Sequence, residues 1–295
     1  MGIVLGPNQY GKAEVRVVRV RRDTARHEIR DLNVSTALRG AFDAAHVTGV
    51  QADVLPTDTQ KNVVFAFAKE RGIDAIEDFG LTLARHFVGE VPAVHGARVL
   101  VQEYAWDRID VDGTGHDHAF VRRGQETRTT TVTVEGEGDD AAAWVVSGFE
   151  DLVVAKTTGS EFRDFRRDHY TTLADTDDRV LATSLVARWR YQGEVADWDA
   201  SYSSIRALLL SRFADVHSLA LQQSLYAMGE AVLEKHPEVT EIRFAAPNKH
   251  HFLVDLSPFG VDNPGEVFHA ADRPYGLIEA TVQRDDGPEP GSAWQ

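Results

Sequence analysis

The order of apolar runs along the chain predicts an α+β fold laid out on one plan twice. Three observations carry this. Some stretches alternate apolar and polar residues with period two, and others space apolar residues three and four apart. The order strand-strand-helix-helix-strand-strand occurs once in each half, where a parallel sheet would alternate strand with helix. No close residue repeat accompanies the repeated order, so the duplication is one of architecture. The expected modules are residues 1–138 and 139–295.

Taken in order, Lys12–Val20 alternates Val15, Val17 and Val20 with Arg16 and Arg19, and Glu28–Leu38 alternates more loosely. Asp23-Thr24 between them makes the pair a hairpin. Thr57-Asp58-Thr59 precedes Gln60–Arg71, whose Val63, Val64 and Phe67 share a helical face, and Gly72 ends that helix. A second helix covers Ile73–Val88. Strands at Ala93–Trp106 and His118–Val134 follow, and then the acidic, glycine-containing stretch Glu135–Asp140 joins the halves. The second half gives strands at Ala143–Lys156 and Arg179–Tyr191, with a shorter helical or irregular passage at Glu161–Tyr170 between them. Helices come next at Ser203–Phe213 and Leu219–His236, the latter stopped by Pro237. Strands at Glu241–Ala246, His250–Leu256 and Leu277–Val282 close the plan, with Gly260–Pro274 read as loop.

The totals exclude several classes of function. At 295 residues, with 43% hydrophobic residues, the chain can bury two sizeable cores. Its apolar runs are too short to span a bilayer, and charged residues through the first 25 positions leave no secretory h-region. The absence of cysteine removes thiolate catalysis, Fe–S clusters and Cys-type zinc sites. A net charge of −15 argues against nucleic acid as the main partner, although a small anion responds to local charge. No dinucleotide, P-loop, zincin or serine-hydrolase signature stands in its required context.

The individual candidates each have a plain alternative. Thr57-Asp58 reads as a helix N-cap, and equally as a helix start whose free N–H groups receive a polar or anionic ligand. Lys12 reads as a solvated strand end; a catalytic lysine has to be desolvated or lie near another cation. His116 and His118 have the i, i+2 spacing of a zinc pair but sit in a glycine-flanked polar stretch that reads as an exposed loop. His250 and His251 are adjacent, so on a strand they face opposite ways and cannot readily share a metal. Arg179, after an acidic run, is either salt-bridged or a bidentate clamp on a planar anion. Gln222 offers an amide that reads a heterocycle edge. Phe162 reads as core or as a stacking platform.

One ordered set of motifs goes further. Gln9-Tyr10-Gly11-Lys12, Thr57-Asp58-Thr59-Gln60-Lys61-Asn62, Glu161-Phe162, Tyr170-Thr171-Thr172-Leu173, Asp178-Arg179, Ala220–Met228, Pro247-Asn248-Lys249-His250 and Gly276-Leu277-Ile278 together resemble the urate oxidase (uricase) family. They run in family order from about residue 9 to 283. The resemblance implies a pair of tandem tunnelling-fold (T-fold) modules, each an antiparallel sheet with helices on one face, closed into a barrel by oligomerisation. It also implies oxidation of urate by O2 and water to 5-hydroxyisourate and hydrogen peroxide, with no metal or organic cofactor.

Carried over by position, the resemblance implies that Arg179 and Gln222 grip urate and Phe162 stacks on it. Leu221 would contribute a backbone contact, and Thr57 and Asp58 would meet the opposite edge. Lys12, Thr57 and His250 would relay protons, and Asn248 would lie over the ring to orient O2. Lys12 and Thr57 would come from a facing subunit of a homotetramer. The chain ends without a Ser-Lys-Leu-type tail, which implies a bacterial-type cytoplasmic member. The competing readings are a zinc-dependent T-fold enzyme acting on a pterin or purine ring through His116 and His118, and a non-catalytic purine-binding protein. The presence of Lys12, Thr57 and His250 together speaks against the latter.

Overall fold

A computed structural model describes residues 2–136, 141–193 and 195–295. Its first hairpin pairs β1 (Tyr10–Arg21) with β2 (Glu28–Gly40), antiparallel from Tyr10↔Leu38 to Arg21↔Glu28. The alternation explains the pairing: Val15 meets Val34 and Val17 meets Leu32, and all four are buried while Arg16 between the two β1 valines is exposed. A five-residue helix α1 (Asp43–Val47), not foreseen in the sequence, precedes α2 (Thr57–Glu70) and α3 (Ile76–Glu90). Next come β3 (Val94–Glu103), β4 (Trp106–Val111), β5 (Thr114–Arg122) and β6 (Thr127–Glu135). The second half holds β7 (Ala142–Lys156), β8 (Leu181–Tyr191), α4 (Trp198–Asp215), α5 (Leu221–Lys235), β9 (Val239–Pro247), β10 (His250–Leu253), β11 (Phe268–Ala271) and β12 (Leu277–Gln283).

The fold class is α+β with a large sheet. The pairs β1–β2, β2–β3, β3–β6 and β9–β12 are antiparallel. Strand order is β1-β2-β3-β6-β7 through the first half and β7-β8-β9-β12 through the second. Strands β1 and β12 each pair on one side only, so the sheet is open. In both halves a small two-stranded excursion, β4–β5 or β10–β11, interrupts the last two strands of the set.

Three segments depart from the sequence reading. The strands expected at Ala93–Trp106 and His118–Val134 are broken, at Tyr104-Ala105 and at Arg123–Glu126, and between the breaks β4 and β5 form a hairpin turned at Asp112-Gly113, with φ of 54° and 80°. An Asp-Gly pair at positive φ is a hairpin turn matched to strand twist. His116 and His118 therefore lie on a strand and not in a loop. The loop expected at Gly260–Pro274 contains β11, and β10 stops at Leu253. Asn263 closes that excursion: its amide donates to the carbonyls of Val254 and Val267, and its oxygen accepts from the N–H groups of Glu266 and Val267. The expected junction at 138/139 lies outside the described residues.

Contacts divide the chain into two units. The first comprises residues up to Gly148 with Arg190–Asp199 and Pro288–Gln295; the second comprises Phe149–Trp189 and Ala200–Gly287. In the first, Phe79, Leu83 and Phe87 of α3 pack on Val99, Val101, Val132 and Val134, all buried. Gly80 permits the approach, since a Cβ there would sit 2.8 Å from Val132. Beneath that layer Glu77, fully buried, meets Arg128 at 2.8 Å and accepts a hydrogen bond from Ser147 at 2.6 Å. Arg128 continues to Asp199 at 2.6 Å, and Arg30 bridges Asp199 and Glu103. Burial pushes the Glu77 carboxyl up, with Arg128 opposing. The second unit packs Leu225, Met228 and Val232 of α5 against Ile242 and Phe244, and Phe149 meets Trp189 edge-on at 6.2 Å. Among the described residues no helix is long and apolar enough to cross a membrane.

Candidate active site

The residues proposed from the sequence fall into two sets, one in each unit. In the first unit, Gly11 and Lys12 lie where β1 slips register against β2, in a bulge that also puts Glu14 at φ 57°. The backbone N–H of Lys12 donates to Thr36 Oγ1 at 3.2 Å, and the Thr36 hydroxyl donates to buried Gln60 Oε1 at 2.7 Å. Gln60 belongs to the first turn of α2, so this chain of bonds ties Lys12 to the helix that carries Thr57 and Asp58.

The N-cap reading of Thr57-Asp58 needs correction. Pro56 occupies the cap position and Thr57 is the first helical residue, with no side-chain cap bond. Proline suits this entry because the preceding turn needs no N–H from it. The Thr57 hydroxyl caps nothing, and the first amides of a helix have no intrahelical partner. Asp58 is exposed and held below its ordinary pKa chiefly by Lys61, whose ammonium lies 2.5 Å away, with smaller help from Asn62 and Lys12.

In the second unit three isolated bridges build the frame. Phe162 and Thr176 exchange backbone hydrogen bonds of 2.9 and 3.0 Å. Ser160 pairs with Ser218, and the Glu161 N–H donates to the Ser218 carbonyl, which brings the Phe162 strand to the start of α5 with Leu221 and Gln222. Asn248 pairs with Thr183, and Lys249 donates to Ala182, so the turn after β9 lies against the beginning of β8, just past Arg179. The Arg179 guanidinium carbon is 5.2 Å from the Phe162 ring centroid. Asp178, one residue before it, accepts from Thr158 Oγ1 and the Gly159 N–H and so fixes the approach. Leu221 is buried and Gln222 exposed. His250 opens β10 with its ring stacked near Phe252, while His251 turns its Nδ1 to the Lys249 carbonyl.

The polar groups of this set are notable for what they leave unused. Lys12, Thr57, Arg179, Gln222, Asn248 and His250 make no side-chain hydrogen bond or ion pair with another described residue. For Arg179 the omission is costly. Burial pushes its guanidinium pKa down, its Nε is buried with no acceptor, and among the described residues no carboxylate pairs with it. A partly buried cation without a carboxylate partner, beside an aromatic face, has the chemistry to receive a planar anion.

His116 and His118 lie in edge contact at 4.5 Å between centroids, with His27 5.8 Å from His118. Among the described residues no group of three His, Cys, Asp or Glu side chains has the geometry to hold a metal ion. Sequence reasoning missed the Thr36–Gln60 link, whose only signal is a glutamine amid the buried face of α2, and Phe165, three positions beyond Phe162.

A profile of the Uricase family matches residues 8–133 and 145–279. The uricase of Arthrobacter globiformis is 57% identical over 283 residues, covering 96% of this chain and 91% of that protein. The uricase of Dictyostelium discoideum is 36% identical, covering 94% and 96%. The crystal structure of the Arthrobacter globiformis uricase superposes with a TM-score of 0.94 at 55% identity, covering 100% of this chain and 99% of that one. A uricase from Bacillus fastidious superposes with a TM-score of 0.83 at 25% identity, covering 95% and 94%.

Proposed function

The chain belongs to the uricase family and is an oxidoreductase that oxidises urate, and from that premise we propose how its residues divide the work. Urate, an electron-rich anion at neutral pH, lies on Phe162 with Arg179 and Gln222 gripping one edge. The first N–H groups of α5, at Leu221, and of α2, at Thr57 and Asp58, meet its polar rim. The observation that carries this reading is the partnerless Arg179 beside Phe162.

Removing a further proton from bound urate makes it a reductant able to pass an electron to O2 directly, so positioning and proton handling are the protein's task. Lys12 takes that proton through the Thr57 hydroxyl, and His250 exchanges protons on the other side. Asn248 orients O2 and then water. Two electrons and two protons leave urate and water for O2, which gives hydrogen peroxide and 5-hydroxyisourate without an organic cofactor or metal. Lys12, Thr57 and Asp58 serve the pocket of a facing subunit in a homotetramer. The unpaired outer edges of β1 and β12 support that assembly. The tandem modules 1–138 and 139–295, and a cytoplasmic place of work, complete the reading; the repeated strand order supports the former.

The test follows urate absorbance and peroxide together on protein dialysed against chelator. Urate loss matched by equimolar peroxide is the expected result. No loss until zinc is added, with turnover of a pterin instead, would replace this reading by the zinc-dependent one. Assembly is tested by mixing Lys12→Met and Arg179→Gln subunits after dissociation. Activity should reappear in the mixture, and its absence would place both residues outside a shared intersubunit pocket.

A further inference from the structure

The ring assigned to substrate stacking has a second aromatic ring behind it. Phe162 and Phe165 lie face to face, 4.9 Å between centroids and 14° from parallel. The guanidinium of Arg167 lies over the Phe165 ring at 4.5 Å, and it is itself held by Asp175 at 3.0 Å and by the Leu173 carbonyl at 2.7 Å. Between the two rings the chain reverses at Asp164, whose φ is 55°, a region that aspartate tolerates better than most residues. The Asp164 N–H donates to Asp175 Oδ1 at 3.2 Å, so one carboxylate fixes both the kink and the capping arginine.

We propose that Phe165 is a positioning residue for the substrate. It occupies one face of Phe162 and so holds that ring in the orientation whose other face receives the purine, with Arg167 and Asp175 as its backing. This rests on the assignment of Phe162 as the stacking platform. The physical basis is preorganisation. Phe162 sits in a segment held by two isolated β-bridges, Ser160–Ser218 and Phe162–Thr176, with no ladder beside it, and is only partly buried. A ring in that setting would otherwise have to be immobilised when substrate binds, and the affinity would fall by the cost of ordering it. Offset stacking on Phe165 meets that cost during folding.

The test compares urate kinetics, melting temperature and xanthine inhibition for Phe165→Leu, Phe165→Tyr, Arg167→Gln and Phe162→Leu. Leucine keeps the bulk but not the flat face, so KM and the xanthine inhibition constant should rise together by about 2- to 10-fold, the worth of one stacked pair. The kcat should stay within about twofold, because a uniform loss of binding leaves the chemical step unaltered. Tyrosine should restore KM. Arg167→Gln, on an exposed side chain, should shift KM the same way by less. Unchanged KM in Phe165→Leu would overturn the proposal. So would equal loss of kcat and melting temperature in the leucine and tyrosine variants, which marks a merely structural role. Phe162→Leu separates the two levels: if it leaves KM unchanged, the platform assignment itself fails, whereas a large effect there with none at Phe165 defeats only this inference.

Discussion

At Gly11 the backbone of β1 passes so close to β2 that a Cβ would lie 1.7 Å from the Thr36 carbonyl oxygen. No side chain fits without parting the strands, and the parting would fall beside the residue assigned to proton removal. Gly11→Ala should cost about 2–3 kcal/mol of stability. It should also cost about 10²-fold in turnover through displacement of Lys12. Denaturant melts and steady-state rates on the same preparation check both, and an active variant would separate Lys12 from the chemistry. Arg179→Lys should keep the charge and lose the fork, raising KM about tenfold or more while the protein melts normally. These residues were visible in the sequence only as an ordered set of short motifs. Nothing about Arg179 alone distinguished it from a salt-bridged surface arginine, because the property that matters is a missing partner in space.

The elements were more legible than the residues. Period-two alternation placed β1 and β2, since a register slip would expose Val15 and Val17, and apolar spacing placed α2 and α3. The β4–β5 hairpin was missed although Asp112-Gly113 announced it, because the strong Thr-Val pattern of Thr127–Glu135 was extended backwards to His118, over the second half of β5. The start of α2 was misassigned because threonine and aspartate suit a cap in general, whereas Pro56 holds that place here. The ion network beneath α3 was not visible at all: Glu77, Arg128 and Asp199 are far apart in sequence and each looks like surface charge. Its consequence is testable. Arg128→Met leaves the Glu77 carboxylate buried and unpaired and should cost about 3–5 kcal/mol. Adding Glu77→Leu should return part of that loss, and a single variant melting like the parent would show the network contributes nothing.

For the molecule as a whole, three carboxyls that are partly or fully buried contribute to the acid response with different signs. Burial raises Asp199, but Arg128 and Arg30 outweigh it and its pKa is lowered in the fold. Glu238 behaves alike, with burial outweighed by hydrogen bonds that include His236 at 2.8 Å and Ser201 at 3.0 Å. For both, the stabilisation is complete above the unfolded pKa values of about 3.9 and 4.3 and is lost as pH falls through the lower folded values. Glu77, raised by burial, has the opposite sign, contributing below its unfolded value and losing that share as pH rises through its folded one. The melting temperature should therefore fall below about pH 4, and the gap between parent and Asp199→Asn should close towards about pH 3. A gap that stays constant with pH would show that Asp199 contributes nothing through its charge.

The frame that carries Phe162, Leu221 and Asn248 is joined by isolated β-bridges, while β9 and β12 beside it are joined by a ladder of seven paired residues. A segment held by two or three backbone bonds opens at a small fraction of the free energy that separates a ladder. Heat should then inactivate this protein in two stages. The pocket would loosen first, at temperatures where circular dichroism still reports an intact sheet, and cooling from that first stage would return full activity. Only at the second stage, when the ladders part and apolar strands are bared to other molecules, would the loss become permanent.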